Sequence, residues 1–78
     1  MNQDEILRWI AELFEETPAN ITPDTPRDAI PTWDSLGVLT LMAGLNERFD
    51  IVMSTEELAG MRSVNDILQV FQSRGKLH

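Results

Sequence analysis

Asp34-Ser35-Leu36-Gly37-Val38-Leu39-Thr40-Leu41-Met42-Ala43-Gly44-Leu45-Asn46-Glu47-Arg48-Phe49-Asp50 is the stretch around which the rest of the chain is organised. From Ser35 to about Asp50 its apolar residues recur at helical spacing, and projection at about 100° per residue separates two apolar stripes. Val38, Leu41, Met42, Leu45 and Phe49 form the first, which is wide enough for a core. Leu36, Leu39 and Ala43 form the second, more than a quarter turn away, with Thr40, Glu47 and Asp50 beside it. Two readings of the second stripe stand: an exposed apolar patch for a partner, or a surface covered by the preceding loop through Ile30 or Trp33. Gly37 and Gly44 share a third side with Arg48, and each should cost the helix about 0.8–1 kcal/mol relative to alanine. Glycines at that cost mark close approach of another backbone or a ligand.

Upstream of this helix the chain cannot be regular. All four prolines, Pro18, Pro23, Pro26 and Pro31, fall between Thr17 and Trp33, so a long loop is expected there, held down by Ile21, Ile30 and Trp33. Before the loop, Ile6, Leu7, Ile10, Leu13 and Phe14 recur at helical spacing, with Trp9 on the edge of the stripe. The pattern predicts a first helix over Asp4 to Glu16, capped by Asn2 with Glu5, carrying an Asp4–Arg8 pair and ended by Thr17-Pro18.

Downstream, Ser54-Thr55-Glu56-Glu57 reads as a capping box that opens a short helix through Leu58 to about Met61. Ser63 caps a last helix with Asp66 in its first turn, Val64, Ile67, Leu68 and Phe71 on one face, and Gly75 as the stop. No strand alternation or internal repeat is present. The expected fold is all-α: a four-helix bundle with three longer helices, a short third one and a long first loop, in a single domain over residues 1–78.

Composition narrows the function. Thirteen acidic and six basic residues among 78 give a formal net charge of −7, which disfavours nucleic acid and anionic membranes and favours basic partners. There is no cysteine, so the polypeptide holds no disulfide, thiolate metal site or thioester of its own. Met1-Asn2-Gln3-Asp4-Glu5 opens with acids where a secretory leader would place bases, and the longest apolar run, Leu36 to Leu45, is too short for a bilayer. A cytoplasmic location is expected.

Ser35 stands at the mouth of the central helix. Unpaired N–H groups and a partial positive charge suit an anion fixed to its hydroxyl, and a group tethered there can swing between partners. By itself Asp34-Ser35-Leu36 also fits an ordinary helix start. The order of parts decides: a proline-rich loop, Asp34-Ser35-Leu36, an apolar helix ending Glu47-Arg48-Phe49-Asp50, a short acidic helix and a closing Ser63-Val64 helix. Over essentially its whole length the chain resembles the acyl carrier proteins, whose phosphopantetheine attachment site has this Asp-Ser-Leu motif.

The resemblance implies a monomeric carrier that performs no catalysis. A separate phosphopantetheinyl transferase, using coenzyme A and magnesium, would attach 4'-phosphopantetheine to Ser35. The terminal thiol would then hold an acyl or aminoacyl group as a thioester for the loading and processing enzymes of fatty-acid, polyketide or related biosynthesis. Asp34 and Leu36, by resemblance, help the transferase and visiting enzymes; the structural alternatives are that Asp34 only caps the helix and Leu36 belongs to the core. The same resemblance makes Leu36, Leu39, Ala43, Glu47, Asp50, Glu56 and Glu57 the expected partner-binding residues.

Two departures stand out. Many carriers place several acids along the helix after the serine, whereas none lies between Ser35 and Asn46 here, so apolar contact near the serine should weigh more in recognition. Trp33 precedes the aspartate where a small residue is common; Trp-Asp-Ser occurs in some specialised carriers, including D-alanyl carriers, and Trp33 is read as an anchor for the loop end. The rival function is an unmodified helical adaptor that binds through Leu36, Leu39 and Ala43. His78, the single histidine, is at the chain end and builds no Ser-His-acid triad, and Asp24 and Asp28 lack calcium-loop spacing. Met42, Met53 and Met61 fit either a pliable acyl pocket or ordinary core packing.

Overall fold

A reciprocal cap starts the first helix: the Glu5 N–H donates to Asn2 Oδ1 (2.9 Å) and the Asn2 N–H donates to Glu5 Oε1 (3.3 Å). The computed structural model describes residues 2–77. Met1, where the leader reading begins, and His78, set aside as a triad member, lie outside them. Four α-helices occur among the described residues: α1 (Gln3–Leu13), α2 (Ser35–Phe49), the short α3 (Thr55–Ala59) and α4 (Val64–Ser73). There is no strand among them, so the chain has the expected all-α, four-helix architecture with a short third helix. Among the described residues no helix is long and apolar enough to cross a membrane.

α1 stops earlier than its apolar spacing predicts. Glu15 takes a left-handed conformation (φ 56°), its N–H donates to the Glu12 carbonyl (3.2 Å), and the Glu16 N–H reaches back to Ala11 (2.8 Å). That double bond closes the helix at Leu13 before Thr17-Pro18 can act. Phe14 keeps its place in the core but belongs to the turn. The Asp4–Arg8 ion pair is not formed. The same closing device ends α4, where Gly75 (φ 71°) lets the Lys76 N–H donate to Phe71 (2.8 Å). α2 likewise ends one residue short of Asp50, which serves as a left-handed C-cap (φ 56°), while the short α3 ends at Ala59 rather than Met61.

The core joins α1, α2 and α4 through three edge-on aromatic contacts. Trp9 meets Phe49 at 4.8 Å and Phe71 at 6.0 Å between ring centroids, and Phe49 meets Phe71 at 4.8 Å. Val38, Leu41, Leu45 and Phe49, the first stripe of α2, are buried, with Met42 half-buried against them. Met61 is buried and Met53 packs against the core, so the three methionines serve packing.

Ile21, Ile30 and Trp33 anchor the loop as expected, each nearly fully buried. The loop contains two single 3-10 turns, Pro18–Asn20 and Arg27–Ala29. Its middle forms an isolated antiparallel bridge, Pro26 to Ser63, in which the Arg27 N–H donates to the Arg62 carbonyl (2.7 Å) and the Val64 N–H to Thr25 (3.0 Å). The Asn65 N–H donates to Pro23 (3.0 Å), so loop carbonyls satisfy donors that the start of α4 would otherwise leave free. At the far end Thr32 Oγ1 donates to the Phe14 carbonyl (2.8 Å), and Trp33 stacks on Phe14 at 5.4 Å. Loop and helices together hold the residues around position 35 in place.

Candidate functional site

Asp34 is the N-cap of α2, and its Oδ1 accepts the Gly37 N–H at 3.0 Å. Serine follows as the first helical residue. No acid lies in the first turn, so the field of the helix start is offset only by the cap. Ser35 is exposed, and no hydrogen bond to a described residue engages its hydroxyl. A free hydroxyl at the positive end of a rigid fifteen-residue helix is suited to bear a phosphodiester.

Leu36 and Leu39 are 71% and 49% exposed, and Ala43 is exposed as well. The second stripe is therefore an open apolar ridge, and the reading in which the loop covers it is excluded. Ile30 and Trp33 fold instead into the core. Leu36 is consequently no core residue.

Two hollows flank the ridge. On one side Ser35, Val38 and Leu39 of α2 face Thr55, Glu56 and Ala59 of α3, with Arg27 completing a groove of about 400 Å³. On the other, Asp34, Leu36, Gly37 and Thr40 line a hollow of about 280 Å³ with Phe14 and Thr32. Of the expected site residues, the structure brings Ser35, Leu39 and Glu56 to the groove and Asp34 and Leu36 to the hollow. Ala43, Glu47, Asp50 and Glu57 line neither. Glu57 is exposed, yet its carboxylate accepts the Ser54 N–H at 3.1 Å as part of the helix cap, which ties it to structure.

Three groove residues escaped the sequence reading: Arg27, Thr55 and Ala59. Arg27 is the only basic residue between Thr17 and Trp33, but that alone did not tie it to the groove. Its Nε donates to the Trp33 carbonyl (3.0 Å), Nη1 donates to the Ala59 carbonyl (2.9 Å), and the guanidinium lies over the Trp33 ring at 5.6 Å. Trp33 is an anchor, buried in the core; its indole N–H has no hydrogen-bond partner among the described residues.

The site residues fit a phosphopantetheine group: an exposed free hydroxyl, a helix start for the phosphate, and a partly apolar groove that Ser35 helps to line. Comparison with known proteins points the same way. The sequence profile of the family described as "Phosphopantetheine attachment site" matches residues 4–71. The chain is 30% identical over 76 residues to the meromycolate extension acyl carrier protein of Mycobacterium tuberculosis (strain ATCC 25618 / H37Rv), an alignment covering 92% of this chain and 66% of that protein. It is 33% identical over 72 residues to an acyl carrier protein homolog of Mycoplasmopsis pulmonis, covering 91% of this chain and 97% of that protein. The chain thus spans 66%, just under two thirds, of the mycobacterial relative's length.

Proposed function

The chain belongs to the phosphopantetheine attachment family, and from that premise we propose that Ser35 carries the arm and that the protein presents acyl groups to partner enzymes without catalysing their chemistry. The observation that carries the assignment is the exposed, unengaged hydroxyl of Ser35 as the first residue of α2, immediately after an anchored loop. In the loading step a bond forms between Ser35 Oγ and a phosphorus of coenzyme A, the pyrophosphate linkage breaks, adenosine bisphosphate leaves and the hydroxyl proton passes to the transferase. Once attached, the arm supplies a terminal thiol that holds cargo as a thioester.

This chain's residues do the presenting. Asp34 fixes the helix start, and α2 gives Ser35 a rigid base. The Leu36–Leu39–Ala43 ridge offers partners an apolar contact beside the attachment point. Glu47, Asp50 and Glu56 are exposed acids that favour basic partners and speed encounter. The cargo is an acyl group, as the names of the mycobacterial relatives say of those proteins.

Intact-mass measurement after incubation with a broad-specificity phosphopantetheinyl transferase, magnesium and coenzyme A tests the assignment. The wild type should gain one phosphopantetheine and Ser35→Ala none. A wild type left unmodified, under conditions that convert a control carrier, would favour an unmodified adaptor that binds through the same ridge.

A further inference from the structure

α3 forms one wall of the groove beside Ser35 and packs against α2, but with few side chains of its own buried. It is five residues long and buries a single side chain, Leu58. The Ser54–Glu57 capping box secures its first turn only. At its other end the Ala59 carbonyl belongs to the last turn, where helix carbonyls lack intrahelical partners, and it accepts from Arg27 Nη1 at 2.9 Å.

The same guanidinium holds the start of α2. Its Nε donates to the Trp33 carbonyl at 3.0 Å, one residue before the Asp34 N-cap and two before Ser35. The Arg27 backbone N–H donates to the Arg62 carbonyl (2.7 Å), anchoring the residue to the turn between α3 and α4. The Trp33 ring, itself stacked on Phe14, lies beneath the guanidinium and limits its swing. One planar fork therefore bonds to Ala59 in the α3 wall and to Trp33, two residues before Ser35 in the opposite wall, and its own side chain lines that groove.

We propose that Arg27 is the positioning residue of this site: by spanning the Trp33 and Ala59 carbonyls it sets the separation of α3 from the start of α2, and with it the width of the groove that begins at Ser35. Its bearing on arm transfer rests on the reading that Ser35 is the attachment point; its hold on α3 does not. The role requires an arginine. A lysine ammonium keeps the charge but lacks two donors set at fixed angles along one plane.

The test compares full-length wild type, Arg27→Gln and Arg27→Lys by native-state amide hydrogen exchange, with arm transfer measured in parallel. In both variants the Leu58, Gly60 and Met61 amides should exchange roughly tenfold faster or more, while core amides of α1 and α4 such as Ile10 and Ile67 stay within about twofold of wild type. Transfer of the arm should show a raised KM with kcat changed less, as expected if the docking geometry around the serine is loosened. Uniform acceleration in every helix, or wild-type exchange at Leu58 and Gly60 in Arg27→Lys, would overturn the proposal. If the wild type takes no arm while the α3 amides respond as expected, the attachment reading fails and the Arg27 clamp stands.

Discussion

Gly37 rests against the Thr32 carbonyl so closely that a Cβ at position 37 would overlap its oxygen, standing 3.1 Å from the carbonyl carbon and 3.3 Å from Cε1 of Phe14. The end of the loop is thereby packed onto the first turn of α2, two residues beyond Ser35. Thr32 Oγ1 bonds the Phe14 carbonyl from the same place, so the close approach also links α1 to the helix start. This contact explains why the helix tolerates a residue of poor helix propensity.

Gly37→Ala should destabilise the protein by about 1–3 kcal/mol through overpacking against backbone, although alanine would add about 0.8–1 kcal/mol of helix propensity. Gly44→Ala should lose less, because its Cβ would meet side-chain ends, Trp9 Cζ2 at 2.9 Å and Leu13 Cδ1 at 3.2 Å. Urea melts of the two variants give the comparison. A stabilised Gly37→Ala would contradict the packing described.

The two stripes of α2 should respond differently to truncation. Leu45 is fully buried and Phe49 nearly so, and Leu45→Ala or Phe49→Ala should each cost about 2–5 kcal/mol. Leu39, 49% exposed, should cost much less. Equal losses at Leu39 and Leu45 would show that the ridge is buried in solution.

Recognition should depend on the ridge more than on charge. Leu39→Asp is expected to impair acyl transfer by the cognate loading enzyme with an unchanged helical circular dichroism spectrum, whereas Glu47→Gln should mainly weaken the salt dependence of the rate. Loss of loading in Glu47→Gln with normal loading in Leu39→Asp would mean that partners read charge.

Stability should rise with moderate salt. The formal net charge is −7, and none of Arg8, Arg27, Arg48, Arg62 or Arg74 forms an ion pair among the described residues. Screening therefore removes repulsion among acids and breaks no ion pair of these five arginines. Going from about 0.01 M to 0.15 M salt, which shortens the screening length from about 30 to 8 Å, should raise the Tm. A falling Tm over that range would point to attractive pairs formed by these arginines in solution.

The starts of the helices were legible because a cap and its partner lie within four residues of each other. Asn2 with Glu5 and Ser54 with Glu57 form the predicted boxes, and Asp66 accepts the Ser63 N–H. Gly75 was legible as a stop for a similarly local reason, the ease with which glycine adopts positive φ. The end of α1 was not, since Glu15 takes a conformation that its residue type disfavours and apolar spacing ran on through Phe14.

The attachment serine could be found in the sequence because its surroundings, a proline-rich loop, a capping aspartate and an apolar helix, are consecutive. Periodicity also exposed both stripes of α2. Which of them faces solvent depended on where Ile30 and Trp33 pack, and only the folded chain decides that, by burying both in the core away from Leu36 and Leu39. Arg27 is the extreme case. Its acceptors are backbone carbonyls of Trp33 and Ala59, the latter 32 residues away. Every residue has a carbonyl, so the amino-acid types at those positions carry no mark of the bond, and tertiary packing alone brings the two carbonyls within reach of one guanidinium.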